Sequence, residues 1–265
     1  MYWFSPLPVR RQAGLWLQGA TNWLGHLDTP ARVYCWAAAA GVLPLLLNLA
    51  IPFPFQQGLS ALILLALALR LLLQGRINTA LVAVITAFVL HCAAAIVLAR
   101  FLPALAAPLM PGSQAYWDQT LYWIKTGIDP EYELANWVPE QLGLVVGISF
   151  FSFSSLGAIP FWRGFYEVDW MNYYVGRLLS CSSDASVALG VGWHWWSVCR
   201  GIGYTFLICE VVAVSLERLS GQPPVSEKGR SLRLSIALGF LMLDFILKYF
   251  TMDTVRQILF QNLQP

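Results

Sequence analysis

LSALILLALALRLLL (Leu59–Leu73) and TALVAVITAFVLHCAAAIVL (Thr79–Leu98) decide the medium in which this chain folds. Only Gln74, Gly75, Arg76, Ile77 and Asn78 separate them. A hydrocarbon core of about 30 Å takes about 20 apolar residues of helix to cross. Inside that core each backbone N–H and C=O must be satisfied within its own segment, so such runs span as helices. Two runs joined by a tight polar turn therefore read as an antiparallel pair of membrane helices.

Composition agrees. The 265 residues are 58% hydrophobic and 11% charged, with a mean hydropathy of +0.61. Soluble domains carry about 25% charged residues, so there is too little charge here to cover a water-facing surface. The expected fold class is all-α: a polytopic integral membrane protein with five to six transmembrane helices, room for one re-entrant hairpin, and two interfacial amphipathic helices. A net charge of +2 and the lack of a basic run exclude nucleic acid as a partner. Cys35, Cys92, Cys181, Cys199 and Cys209 form no C-x-x-C and lie mostly in apolar runs. They read as small buried hydrophobes rather than disulfides or metal ligands.

On the N-terminal side, residues 1–32 alternate Leu15, Trp16, Leu17, Trp23 and Leu24 with Gln12, Gln18, Asn22 and His26. This pattern predicts an interfacial amphipathic segment. No apolar run follows Arg10 and Arg11 directly, so the first span is expected to serve as an uncleaved insertion signal. Residues 33–265 read as a single transmembrane domain, opening with a span from Val33 to Ile51 that stops at Pro52-Phe53-Pro54.

On the C-terminal side, residues 101–140 begin with Pro103, Pro108 and Pro111 and go on to Asp118, Asp129, Glu131, Glu133 and Glu140 among Tyr116, Trp117, Tyr122, Trp123, Tyr132 and Trp137. They read as a long aromatic and acidic loop on the non-cytoplasmic side, with rings at headgroup depth. A span follows over Gln141–Phe161, carrying Gly143 and Gly147 in the G-x-x-x-G spacing that admits another helix. Trp162–Ser186 is too polar to span. Phe165, Val168, Met171, Val175 and Leu179 recur there at helical spacing and predict the second interfacial helix. Val187–Leu216 is apolar but interrupted at Arg200, Gly201 and Gly203. It reads either as one long tilted helix or as a hairpin turning at the glycines. The last span runs from Leu232 to Phe250.

Basic residues favour the cytoplasm. With six plain spans and a cytoplasmic N-terminus, nine basic residues fall inside and six outside, and the loop after Leu216 is the offender. A hairpin over Val187–Leu216 moves that loop inside and makes the count eleven against four. Both versions keep the N-terminus cytoplasmic, in a multi-pass protein of a bacterial-type inner membrane.

An Arg, Lys or Asp at the centre of a span costs about 2.5–3.5 kcal/mol on insertion scales. Asp244 and Lys248 are spaced i, i+4 with the acid first and read as a self-neutralising pair. Arg70 lies near a span end and can snorkel. His91 reads as a lone hydrogen-bonded ring. Trp193, His194, Trp195 and Trp196 suit either an interfacial belt or a site that stacks a ring or holds a cation. Arg200, beside the glycines, suits a carboxylate or phosphate. Glu210, ten residues on, reaches Arg200 only in a hairpin. Glu167 and Asp169 diverge by about 200° on a helix, which argues against a catalytic dyad.

The candidate ligand-binding residues are thus Trp193, His194, Arg200, Glu210, Glu167 and Asp169. No catalytic set, metal site or cofactor is expected: G-x-x-x-x-G-K-[ST], G-x-S-x-G, H-E-x-x-H and C-x-x-C-H are all missing from the sequence. Three function classes follow. The first is a membrane subunit or scaffold of an inner-membrane multi-protein complex, its partners being membrane lipids and other membrane subunits or further copies of itself. The second is a permease for a small or lipid-like solute, with transport at a broken helix near Arg200. The third is an enzyme acting on a lipid-linked substrate through Glu167, Asp169, His194 and Arg200.

Overall fold

The computed structural model describes residues 12, 15–17, 19, 21–24, 27, 29–128, 134–220 and 227–263. The expected segment 1–32 therefore lies largely outside the described residues, apart from a short 3-10 turn at Asn22–Leu24. Ten α-helices follow among the described residues: α1 Pro30–Ala50, α2 Gln56–Leu73, α3 Ile77–Phe101, α4 Pro103–Leu109, α5 Ser113–Thr126, α6 Leu134–Ser154, α7 Ala158–Cys181, α8 Ala185–Gly192, α9 Trp195–Ser220 and α10 Glu227–Asn262. The protein is all-α, and α1, α2, α3, α9 and α10 are each long and apolar enough to cross a membrane. Local chemistry sets the boundaries. Pro30 starts α1 where its missing N–H costs nothing. Pro52 and Pro54 keep α1 from running into α2. Gly75, at φ +71°, closes the α2–α3 turn in the left-handed region that glycine adopts freely.

The bundle has two ends. At the near end, Leu27, Val33, Leu71, Leu72, Ile77 and Leu216 share one apolar cluster, so the α2–α3 turn and the C-terminal part of α9 lie together. At the far end, Ala95 and Ala99 of α3 pack with Met110, Trp117, Trp123 and Ile124, with Tyr174 and Val175, and with Val255 and Leu259 of α10. Residues 101–140, expected as a loop, are thus helical over α4, α5 and the start of α6. Their indoles are buried rather than spread at a surface: Trp117 and Trp123 in the cluster with α7, and Trp137 against Phe245 of α10.

α6 and α7 form a hairpin that enters the bundle from the far end. Parallel to α9, α6 has Gln141 beside Tyr204 and Phe153 O accepting from Ser215 Oγ at 2.7 Å. Leu156 at φ +53° and Gly157 at φ +91° then reverse the chain. α7 returns along α3, with Gly164 against Phe88, Asp169 against His91 and Gly176 against Ile96 and Ala99. The turn packs on Val212. Beyond that point α9 runs on to Ser220, so the hairpin stops about 12 Å short of the near end at 1.5 Å per residue.

Three expectations change. The span placed over Gln141–Phe161 is instead α6, the turn and the start of α7. The helix over Trp162–Ser186 exists, and its apolar stripe is real, but the helix is packed inside the bundle because Asp169 and Asn172 find partners there. Val187–Leu216 neither re-enters nor forms one helix: it breaks at Trp193–His194, between α8 and α9, and His194 stands at φ +48°. α9 continues through Arg200, Gly201 and Gly203 without interruption. Gly203 serves close packing, since a Cβ there would meet Leu241 Cγ at 2.9 Å and Ala237 O at 3.1 Å. A Cβ on Gly201 would meet nothing within 4 Å.

Gly203→Ala is therefore expected to destabilise the detergent-solubilised protein by about 1–3 kcal/mol through overpacking. Gly201→Ala, which gains helix propensity, should leave the unfolding midpoint unchanged or raised. Equal losses from both would contradict a continuous α9.

Candidate functional site

At the centre of the bundle, four helices meet in one buried polar chain. His91 of α3 directs Nδ1 at the Gly41 carbonyl of α1 (2.6 Å) and Nε2 at Asp169 Oδ1 of α7 (2.7 Å). Asp169 Oδ2 accepts from Gln57 Nε2 of α2 at 2.6 Å. His91 and Asp169 are wholly buried and Gln57 is 1% exposed. A carbonyl can only accept, so Nδ1 carries a proton. One further proton then lies between Nε2 and Oδ1, and wherever it sits the pair is neutral overall. Phe165 seals the site with its edge against the imidazole, ring centroids 4.9 Å apart. The backbones must approach closely to allow this: a Cβ on Gly41 would collide with Ala87 O of α3.

One turn further along α7, Asn172 donates to Val168 O and Cys92 Sγ and accepts from Trp193 Nε1 at 2.7 Å. This holds the α8–α9 break against the bundle. His194 lies in an aromatic box: stacked on Trp196 at 4.7 Å, edge-on to Trp123 at 5.7 Å and tilted against Tyr174 at 5.5 Å. Burial, with help from the positive charges of Lys248 and Arg200, pushes His194 down to about 3. It is a neutral ring in the fold.

Between α9 and α10 runs a series of ion pairs. Arg200 grips Asp244 bidentately, Nε–Oδ2 at 3.0 Å and Nη2–Oδ1 at 3.1 Å. Glu210 pairs with Arg233 and, at 3.7 Å, with Arg230, which also bonds Glu217. The partner that Asp244 grips is thus Arg200 on the neighbouring helix, while Lys248 lies 4.9 Å over the Trp137 ring.

The candidate residues of the sequence do not converge. Asp169 joins the central chain. Glu167 points outward and pairs with Arg163, both about half exposed, which is the divergence expected from an i, i+2 spacing. Trp193 and His194 lie at the helix break, Arg200 lies about 9 Å further along at 1.5 Å per residue with its acid satisfied, and Glu210 is held by other arginines. Gln57 and Asn172 belong to the centre and were not singled out. The one available sign for Gln57 was its place, with Gln56, at the polar mouth of an apolar run. In the box around His194 the imidazole itself stacks on Trp196, while Arg177 lies over Trp117 at 5.7 Å and Arg163 over Trp170 at 4.9 Å. Among the described residues no group of three or more His, Cys, Asp or Glu side chains could hold a metal.

Comparison with known proteins gives no relative: no family model, no curated protein and no solved structure matches the chain.

Asp169→Ala should cost about 3–5 kcal/mol, because it strands a buried polar ring. Asp169→Asn, whose amide can donate to a neutral Nε2, should cost less than half of that in the same unfolding measurement. His194 supplies a pH test. Unfolded imidazole takes up its proton near 6.5, whereas the folded ring holds off until about 3. Between these values the unfolded state binds more protons, so stability falls as the pH drops below 6.5. His194→Phe is expected to flatten that part of the midpoint-versus-pH curve.

Proposed function

We propose that this protein is a membrane-embedded subunit or scaffold of a multi-protein complex in a bacterial-type inner membrane. The observation that carries this reading is the use of the interior polar groups. His91 with Asp169, Arg200 with Asp244, and Glu210 with Arg233 each tie one helix to another. Such pairs hold a shape; they offer a passing solute no free charge. α9 runs unbroken past Arg200, so the break in this segment lies at Trp193–His194 and not at the arginine on which the permease reading was centred.

The outer surface supports the same reading. A Cβ on Gly143 or Gly147 of α6 would meet nothing within 4 Å, so among the described residues nothing packs into the G-x-x-x-G. It lies among exposed Leu142, Val146 and Phe150, where a partner helix could approach closely.

The charge distribution supports a cytoplasmic N-terminus. Arg70, Arg76, Arg218, Arg230 and Arg233 gather at or toward the near end, where α1 begins. The hairpin of α6 and α7 returns to the far end, so the loop between α9 and α10 joins this basic side without any turn at Gly201.

Replacing both Gly143 and Gly147 by Leu should leave the unfolding free energy within about 0.5 kcal/mol of wild type, as for other surface changes. It should also reduce the mass of the complex isolated in mild detergent. A wild-type protein that is monomeric and free of stoichiometric partners would overturn the reading, as would a double variant of unchanged mass.

A further inference from the structure

On the exposed side of α7, Ile159, Trp162, Arg163, Tyr166 and Glu167 follow one another at helical spacing. Arg163 pairs with Glu167 across one turn, and each side chain is about half exposed. What sets this pair apart is its depth. Gly164 packs on Phe88, near the midpoint of α3. Two residues beyond Glu167, the Asp169 carboxylate meets His91 on the next turn of α3. Exposed Val82, Val89 and Val97 mark α3 as facing lipid on both sides of that level. The ion pair therefore stands at mid-span.

Hydrocarbon is a poor cover for it. Charged side chains in the middle of a span are costly, and those that occur face protein or a water-filled cavity. Snorkelling relieves charges near helix ends and does not serve here. Trp170 lies 4.9 Å from the Arg163 guanidinium and covers one of its faces, which leaves the in-plane N–H donors to a neighbour. The Glu167 carboxylate likewise has more acceptor sites than one arginine fills. Next to the pair the surface is shaped for close approach. Gly58 and Ala61 of α2 and Ala158 of α7 floor a groove, and the exposed Leu62, Ile159 and Trp162 form its lips. Small residues let a second backbone come near. Lips beside a groove suit an isologous contact, in which each copy supplies both ridge and recess.

We infer that this face of α2 and α7 joins two copies of the chain about a two-fold axis along the membrane normal, with Arg163 of each copy on Glu167 of the other. Charge complementarity carries the choice of occupant. A second copy in the same orientation brings an acid and a base to this same depth, and the two neutral pairs close into a ring of four alternating charges. The two α7 helices run parallel about such an axis. Arg163 then meets the partner's Glu167 at an offset of one turn, about 5–6 Å, much as e and g ion pairs link parallel coiled-coil helices. A partner helix without charge would leave both groups unmatched. The face lies apart from Gly143 and Gly147, whose helix sits on α9. The inference rests on the subunit reading, since both require a neighbour in the bilayer, but the two fail separately.

The copy number of the protein purified in mild detergent, read by native mass spectrometry, tests this. The wild type should hold two copies. Gly58→Phe should weaken the dimer at least about tenfold by overfilling the contact. The single chain accommodates it, since the nearest atom a Cβ at Gly58 would meet is Phe55 Cβ at 4.0 Å. Arg163→Glu makes the pair wholly acidic, and Glu167→Arg makes it wholly basic. Each variant should be monomeric when expressed alone, and the two should re-form a dimer with one copy of each when co-expressed. Should either charge variant fail to accumulate, Gly58→Phe decides. A single copy in the wild type would overturn the inference, as would a folded Gly58→Phe that dimerises like the wild type. Charge variants that dimerise alone, or that accumulate together without reassociating, would overturn it equally. A single wild-type copy bound to other chains in fixed ratio would sink the dimer and leave the subunit reading standing, whereas a single copy on its own would end both.

Discussion

Hydrocarbon offers no hydrogen bonds, so each polar group that enters it must bring or find a partner. That constraint is met at the centre of this bundle by His91. One imidazole touches the backbone of α1 and the carboxylate of α7, and that carboxylate in turn holds Gln57 of α2. Four helices are thereby fixed in relative height, because a slip of one residue along any of them would orphan a wholly buried donor or acceptor. Apolar packing alone sets no such register, since leucine and alanine slide past lipid and one another at little cost. Pair neutrality matters too. The His91–Asp169 unit, hydrogen-bonded from Nε2 to Oδ1, carries no net charge into the interior.

The same rule explains α7, a polar helix packed inside the bundle. Its buried face carries Asp169 and Asn172 beside Phe165, Tyr173, Tyr174 and Val175. Each of the two polar residues meets a partner on α2, α3 or the α8–α9 break. Its exposed face carries Arg163 and Glu167, which pair with each other across one helical turn. One helix can hold both faces because it enters only part of the way, turning at Leu156 and Gly157 against the middle of α9.

Much of this was legible in the residues. The apolar runs at 59–73 and 79–98 mark α2 and α3 almost to the residue, and the proline stop at 52–54 marks the end of α1. The divergence of Glu167 from Asp169 followed from helical geometry alone. What could not be read was pairing across the fold. His91 and Asp169 are 78 residues apart, and a lone histidine in an apolar run looks the same with or without an acid opposite it. Glycine misled for a related reason. Gly201 and Gly203 resemble a break when only the local chain is considered, whereas Gly203 is small because Leu241 and Ala237 press against it. The real break, at His194, sits on a residue that seldom takes positive φ and is held there by Trp123 and Tyr174 from other helices and by Trp196 of α9.

The architecture rests on five full crossings, with the α6–α7 hairpin entering and leaving on one face. Side-selective labelling of single cysteines in sealed vesicles of a cysteine-free background tests it directly. Positions 118, 184 and 261 should react from one side, and positions 74 and 228 from the other. Reaction of positions 118 and 184 from opposite sides would contradict the hairpin and the arrangement of helices built around it.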